Sequence, residues 1–149
     1  STAGQGAGAD AAGAGADEPA GATGVPRAYA YSGVMLTADN SLRIGDGKVY
    51  DNREEDIRFD CREAGCELES DSAVFTQVYG DPGDGTYDTC SMLTASQTSH
   101  RHYLAASAAG SEICFRDGDG NVGLLVVQVK STAVPKLGFL TADLTVWKD

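Results

Sequence analysis

Near the end of the chain, Leu140, Ala142, Leu144 and Val146 alternate with Thr141, Asp143, Thr145 and Trp147. The same period of two runs through Ile57, Phe59 and Cys61 against Asp56, Arg58 and Asp60, and through Cys66 and Leu68 against Glu67 and Glu69. Side chains of a strand point alternately to its two faces, so each run describes a strand with one face in a core. Residues 124–129 are almost continuously apolar and read as a central strand buried on both faces. Further strands are expected over 29–36, 42–44, 48–50, 73–79 and 112–116. Turn residues separate them: Asp39-Asn40, Gly45-Asp46-Gly47, Asp81-Pro82-Gly83-Asp84-Gly85 and Asp117-Gly118-Asp119-Gly120-Asn121. One short helix is expected over 86–95. The spacing predicts an all-β fold, an antiparallel β-sandwich or barrel of about 8–10 strands.

Four cysteines stand at Cys61, Cys66, Cys90 and Cys114. An even count in a β-patterned chain predicts two disulfides and an oxidising compartment. Of the three pairings, Cys61–Cys66 and Cys90–Cys114 are expected. The first closes a hairpin across four residues, and both its cysteines are in phase with inward-facing neighbours. The second pins the irregular stretch 86–110 to the strand at 112–116. Loop entropy gives about 2 kcal/mol for the shorter bridge and about 3.5 kcal/mol for the longer. Zinc is the competing use of such thiols, but Cys90 and Cys114 are single and far apart in sequence.

Residues 1–25 contain sixteen Gly or Ala and no aromatic or basic residue. Such a segment cannot bury enough apolar area to offset its ordering entropy. The expected organisation is a disordered linker over 1–26 and a single β domain over 27–149. The segment at Ser1 lacks the apolar stretch of a signal peptide, so a signal or anchor, if one existed, is expected to have been cut off or to lie upstream, with a free mature N-terminus as the alternative to a tether.

A net charge of −11 argues against nucleic-acid binding and against an anionic membrane surface. No stretch of 18 apolar residues is present, so membrane insertion by this segment is not expected. The acidity suits solubility outside a cell.

Candidate chemistry is sparse. Asp117, Asp119 and Asn121 alternate like the start of a calcium loop, but Val122 and Gln128 stand where an EF-hand needs Gly and Glu. A hairpin turn is the preferred reading and a weak calcium site the alternative. Asp81, Asp84 and Asp88 read as a solvated acidic loop. His100 and His102 flank Arg101 and read as an exposed polar loop, although a His pair can also bind metal or titrate near neutral pH. Neither a Gly-x-Ser-x-Gly elbow nor an identifiable pair of glycosidase carboxylates emerges. Trp147, Tyr29 and Tyr31 are the candidate ligand-contacting aromatics, with a second small core or a sheet edge as the alternative use of Trp147.

Tyr87-Asp88-Thr89-Cys90, Gly110-Ser111-Glu112-Ile113-Cys114-Phe115-Arg116, Gly120 followed by Leu124-Leu125-Val126-Val127, and the closing Leu144-Thr145-Val146-Trp147 carry a resemblance. Over residues 30–149 the chain resembles a small C-terminal extracytoplasmic domain of actinobacterial secreted or membrane-anchored proteins. The resemblance implies an all-β module, placed after a Gly/Ala/Pro-rich linker, with no assigned catalytic residues. The Cys61/Cys66 pair is an addition to the usual pattern.

The expected function is non-catalytic recognition of an extracellular protein or glycan by an exported domain, with no cofactor and no metal. The alternatives are a secreted inhibitor or effector of an extracellular enzyme, which would present the stretch 91–110 with Met92-Leu93, and a secreted hydrolase.

Overall fold

A computed structural model describes residues 26–62 and 65–148. The expected linker over 1–26 lies outside these residues except for Pro26. The strands are β1 (Arg27–Thr37), β2 (Ser41–Arg43), β3 (Lys48–Tyr50), β4 (Arg58–Arg62), β5 (Gly65–Glu69), β6 (Val74–Val78), β7 (Arg101–Tyr103), β8 (Glu112–Arg116), β9 (Val122–Ser131) and β10 (Phe139–Lys148). Among the described residues one α-helix, α1 (Tyr87–Thr94), follows β6, and a 3-10 turn at Pro135–Leu137 precedes β10. The fold is all-β and antiparallel, with both expected disulfides, Cys61–Cys66 and Cys90–Cys114.

Five strands form one sheet in the order β1-β10-β9-β8-β6, and β4-β5-β7 and β2-β3 form two smaller ones. The alternation in β10 explains the layering. Leu140, Ala142, Leu144 and Val146 enter the main core with Val34, Leu36, Ile113, Phe115, Leu125 and Val127 of the large sheet. The small sheets close this core with Leu42, Phe59 and Leu68, joined by Ile57, which bridges to Leu42 just before β4. Burying a Leu or Phe side chain contributes about 1.5–3 kcal/mol, so this one interface dominates stability.

The opposite face of the large sheet is partly covered by α1. Cys90, Cys114, Val122 and Leu124 form a second, smaller core there, with Tyr87, Val78, Val126 and Trp147 packed against it. Thr86 caps α1 by accepting from the Thr89 amide, which satisfies one of the donors a helix start leaves open. At its end, Thr94 donates to the Cys90 carbonyl at 2.6 Å.

β9 is buried on both faces only over Val122–Leu125 and at Val127, while Gln128 and Val129 are exposed. The doubly buried strand expected over 124–129 is therefore displaced toward the N-terminus, because α1 covers only that part of the outer face. A register shift between Thr141 and Ala142 skips Gln128 in the pairing, and its side-chain amide donates to Asp143 at 2.9 Å.

The expectation of an exposed polar loop over residues 98–103 holds for 98–100 and is corrected over 101–103. Residues 101–103 form β7, whose His102 lies opposite Leu68 of β5 and turns inward. The inward residue of this strand is polar, so no hydrophobic alternation announced it. The amide of Phe75 in β6 donates to the Ser99 carbonyl at 3.0 Å, which links the small sheet to the edge of the large one.

Candidate binding site

Three outward-facing residues of β8 organise the surface over the second core. Glu112 is buried, and its carboxylate accepts from the amides of Gly83 at 2.9 Å and Gly85 at 2.7 Å. Cys114 bonds to Cys90 in α1. Arg116 donates to the Ser91 carbonyl at 2.8 Å and to Gly120 at 3.4 Å. Alternation along one strand thus fastens the 81–85 loop, the helix and the β8–β9 turn at three successive points. Burying a carboxylate is costly unless it is well bonded, and here its bonds hold a surface loop in one conformation.

The loop is fitted to that carboxylate. A Cβ at Gly85 would come within 2.9 Å of both Glu112 Oε1 and Leu124 Cδ1. Asp84 accepts from the Asp81 amide at 2.8 Å, and Gly83 takes φ +92°, a conformation natural to glycine.

Tyr79 follows β6 directly and is 79% exposed. It forms the shared wall of two clefts. One, of about 540 Å³, lies between the end of β6 and α1 and is lined by Gln77, Val78, Asp84, Thr86, Thr89 and Leu93. The other, of about 350 Å³, runs along Gly80, Asp81, Pro82 and residues 109–112. Neither is lined by a Lys, Arg or His. Hydroxyl groups, an amide, carboxylates and one aromatic face are what they offer. Tyr79 carries no sequence signal, because an aromatic that ends a strand looks like any other strand residue.

The aromatics expected from the sequence lie elsewhere and are divided between the two faces of the large sheet. Trp147 pairs across from Ala28 on the outer face, whereas Tyr29 and Tyr31 pair across from Val146 and Leu144 on the core side. Trp147 is half-buried and meets Tyr87 of α1 edge-on, with ring centroids 5.9 Å apart. Tyr29 lies under the Lys148 ammonium, 5.1 Å from the ring centre. Tyr31 packs over Gly47, where any Cβ would collide with its ring.

Asp117, Asp119 and Asn121 form the turn between β8 and β9. Asp117 Oδ1 accepts from the amides of Asp119 at 2.9 Å and Asn121 at 2.8 Å, and Oδ2 accepts from Asn121 Nδ2 at 3.2 Å. The carboxylate is engaged by its own loop.

The histidines separate in role. His100 is exposed, and its Nδ1 donates to the Ala73 carbonyl at 2.8 Å. His102 Nε2 lies 3.1 Å from Gln77 Oε1 and 3.2 Å from Ser107 Oγ, and Ser107 donates to Gln77 at 2.7 Å. Burial lowers the His102 pKa. Ser107 is fully buried, so this network seals the edge of the core. Met92 is 69% exposed, but it and Leu93 belong to α1 and do not present the extended backbone of a protease-binding loop.

Compared with protein-family models, with curated protein sequences and with solved structures, the chain matches none. No helix among the described residues is long and apolar enough to cross a membrane. The two disulfides are compatible with an oxidising environment.

Proposed function

We propose that the chain is a non-catalytic recognition domain of an exported protein, which binds a neutral glycan across the two clefts that share Tyr79. The observation that carries this reading is an almost fully exposed aromatic on a surface held rigid by a buried carboxylate and a disulfide. Pre-organisation of this kind lowers the ordering cost of association. An aromatic ring offers a flat amphipathic face to the C–H side of a sugar, and Asp84, Thr86, Thr89 and Gln77 supply polar groups around it. The lack of cationic side chains disfavours an anionic ligand.

Affinity electrophoresis through gels containing soluble neutral polysaccharides tests it. Retardation is expected for the wild type, with a loss of about 2 kcal/mol, or roughly thirtyfold in affinity, in Tyr79→Ala. Tyr103→Ala, at a residue 62% exposed on another sheet, serves as the control. Equal migration of wild type and Tyr79→Ala in every gel overturns the proposal.

A further inference from the structure

Away from these clefts, Asp60 of β4 and Glu67 and Glu69 of β5 bring one carboxylate oxygen each to within 4.8 Å of one another. Their strands are paired, with Asp60 opposite Glu67 and Arg58 opposite Glu69, so one outward face of the small sheet collects the three acids. Glu67 is the anomaly. Its side chain is only 3% exposed, and its Oε2 has no hydrogen-bond partner among the described residues. Arg101 Nη1 stands 3.3 Å away and Arg62 Nη2 3.8 Å away, as ion pairs without hydrogen-bond geometry. A buried carboxylate oxygen without a hydrogen bond is costly, and one oxygen of Glu67 lies within 4.8 Å of an oxygen from each of the two neighbouring acids.

Arg62 sits among the trio. It donates to Asp60 Oδ2 at 3.1 Å and to Glu69 Oε2 at 3.2 Å. Its side chain is 49% exposed, so it can swing into water without opening the core. We propose that Asp60, Glu67 and Glu69 form a calcium-class divalent-cation site, whose place the Arg62 guanidinium takes in this structure.

The donor set consists of oxygen alone, which selects hard cations. Oxygens spread within 4.8 Å of one another suit the flexible coordination of Ca²⁺ better than the near-ideal octahedron that Mg²⁺ demands. Charge sets the affinity. Arg53 and Arg58 complete the lattice, Arg53 facing Asp60 at 4.0 Å and Arg58 bridging Glu69 and Asp71. Four acids then face four guanidiniums, and withdrawal of Arg62 leaves one net negative charge to attract the cation. That balance points to the weak range of extracellular calcium modules, with Kd about 10⁻⁴–10⁻³ M. The site is independent of the Tyr79 clefts, and either proposal can fail alone.

Calorimetric titration of the disulfide-bonded protein with Ca²⁺ tests it. The expected result is one saturable event in that range, at least about tenfold tighter in Arg62→Gln and at least about tenfold weaker in Glu67→Gln and in Asp60→Asn. Asp60 is 30% exposed at its side chain, so Asp60→Asn keeps the test valid if Glu67→Gln does not fold. The thermal midpoint of the wild type should rise with Ca²⁺ and that of Asp60→Asn should not. Binding seen only in Arg62→Gln supports the site, with arginine the stronger occupant. No binding in either wild type or Arg62→Gln overturns the proposal, as does binding that Asp60→Asn leaves intact or that Asp117→Asn abolishes instead.

Discussion

The Glu112 carboxylate accepts the Gly85 amide at 2.7 Å, across 27 residues of chain, and this bond sets the loop beside Tyr79. In Glu112→Gln one of the two acceptors becomes a donor and faces a backbone N–H. A cost of about 1–3 kcal/mol is expected, measured by urea denaturation, with faster amide exchange at Gly83 and Gly85. Thermal and chemical stability equal to wild type would show that the bond does not brace the loop.

The ring of Phe115 covers Gly123 on the neighbouring strand, and a Cβ at Gly123 would overlap three of its carbons. Gly123→Ala should cost about 1–3 kcal/mol by overpacking. Gly33, with open space where a Cβ would stand, is the comparison. It takes φ +68°, so Gly33→Ala should lose stability through backbone strain alone. Crystal or NMR evidence of a displaced Phe115 ring in Gly123→Ala only would separate the two causes.

Burial lowers the pKa of His102, so its folded pKa lies below the unfolded value of about 6.5. The unfolded chain then binds the extra proton first. This contribution is complete above pH 6.5 and is lost as pH falls through the folded pKa. The thermal midpoint should drop from pH 7.5 to pH 5, and by less in His102→Gln. Parallel profiles for the two proteins would exclude His102 as the source.

Cys90 and Cys114 are both fully buried, whereas Cys61 is only half-buried. Mild reductant followed by alkylation should label Cys61 and Cys66 first. Replacing Cys90 and Cys114 together by Ala should cost about 3.5 kcal/mol and raise amide exchange in α1 above that of the sheet. Simultaneous labelling of all four thiols would mean that the bridges open only on global unfolding.

The sequence showed β10 and β4 plainly, because one of their faces is uniformly apolar and the other polar. It hid β7, whose inward residue is His102, since a polar side chain satisfied by Gln77 and Ser107 breaks the alternation that marks a strand. The aromatic reading shows the same division. Trp147 is conspicuous as a sole tryptophan, and the structure seats it against Tyr87, while Tyr79 has nothing in its neighbourhood to distinguish it.

Alternation and cysteine spacing determined by themselves the all-β class, most strand positions, the single helix and both disulfides, because these depend on local periodicity and on short-range closure. Tertiary structure alone decided where charge and exposure converge. Glu112 meets Gly85 across 27 residues, and Asp60 meets Glu67 and Glu69 only once β4 and β5 pair. Calcium-like alternation pointed to Asp117, but a carboxylate bonded by its own turn and one whose buried oxygen has no hydrogen-bond partner among the described residues look alike in sequence. The difference arises from strand register and burial, which place Glu67 out of water and Asp117 within reach of its own loop's amides.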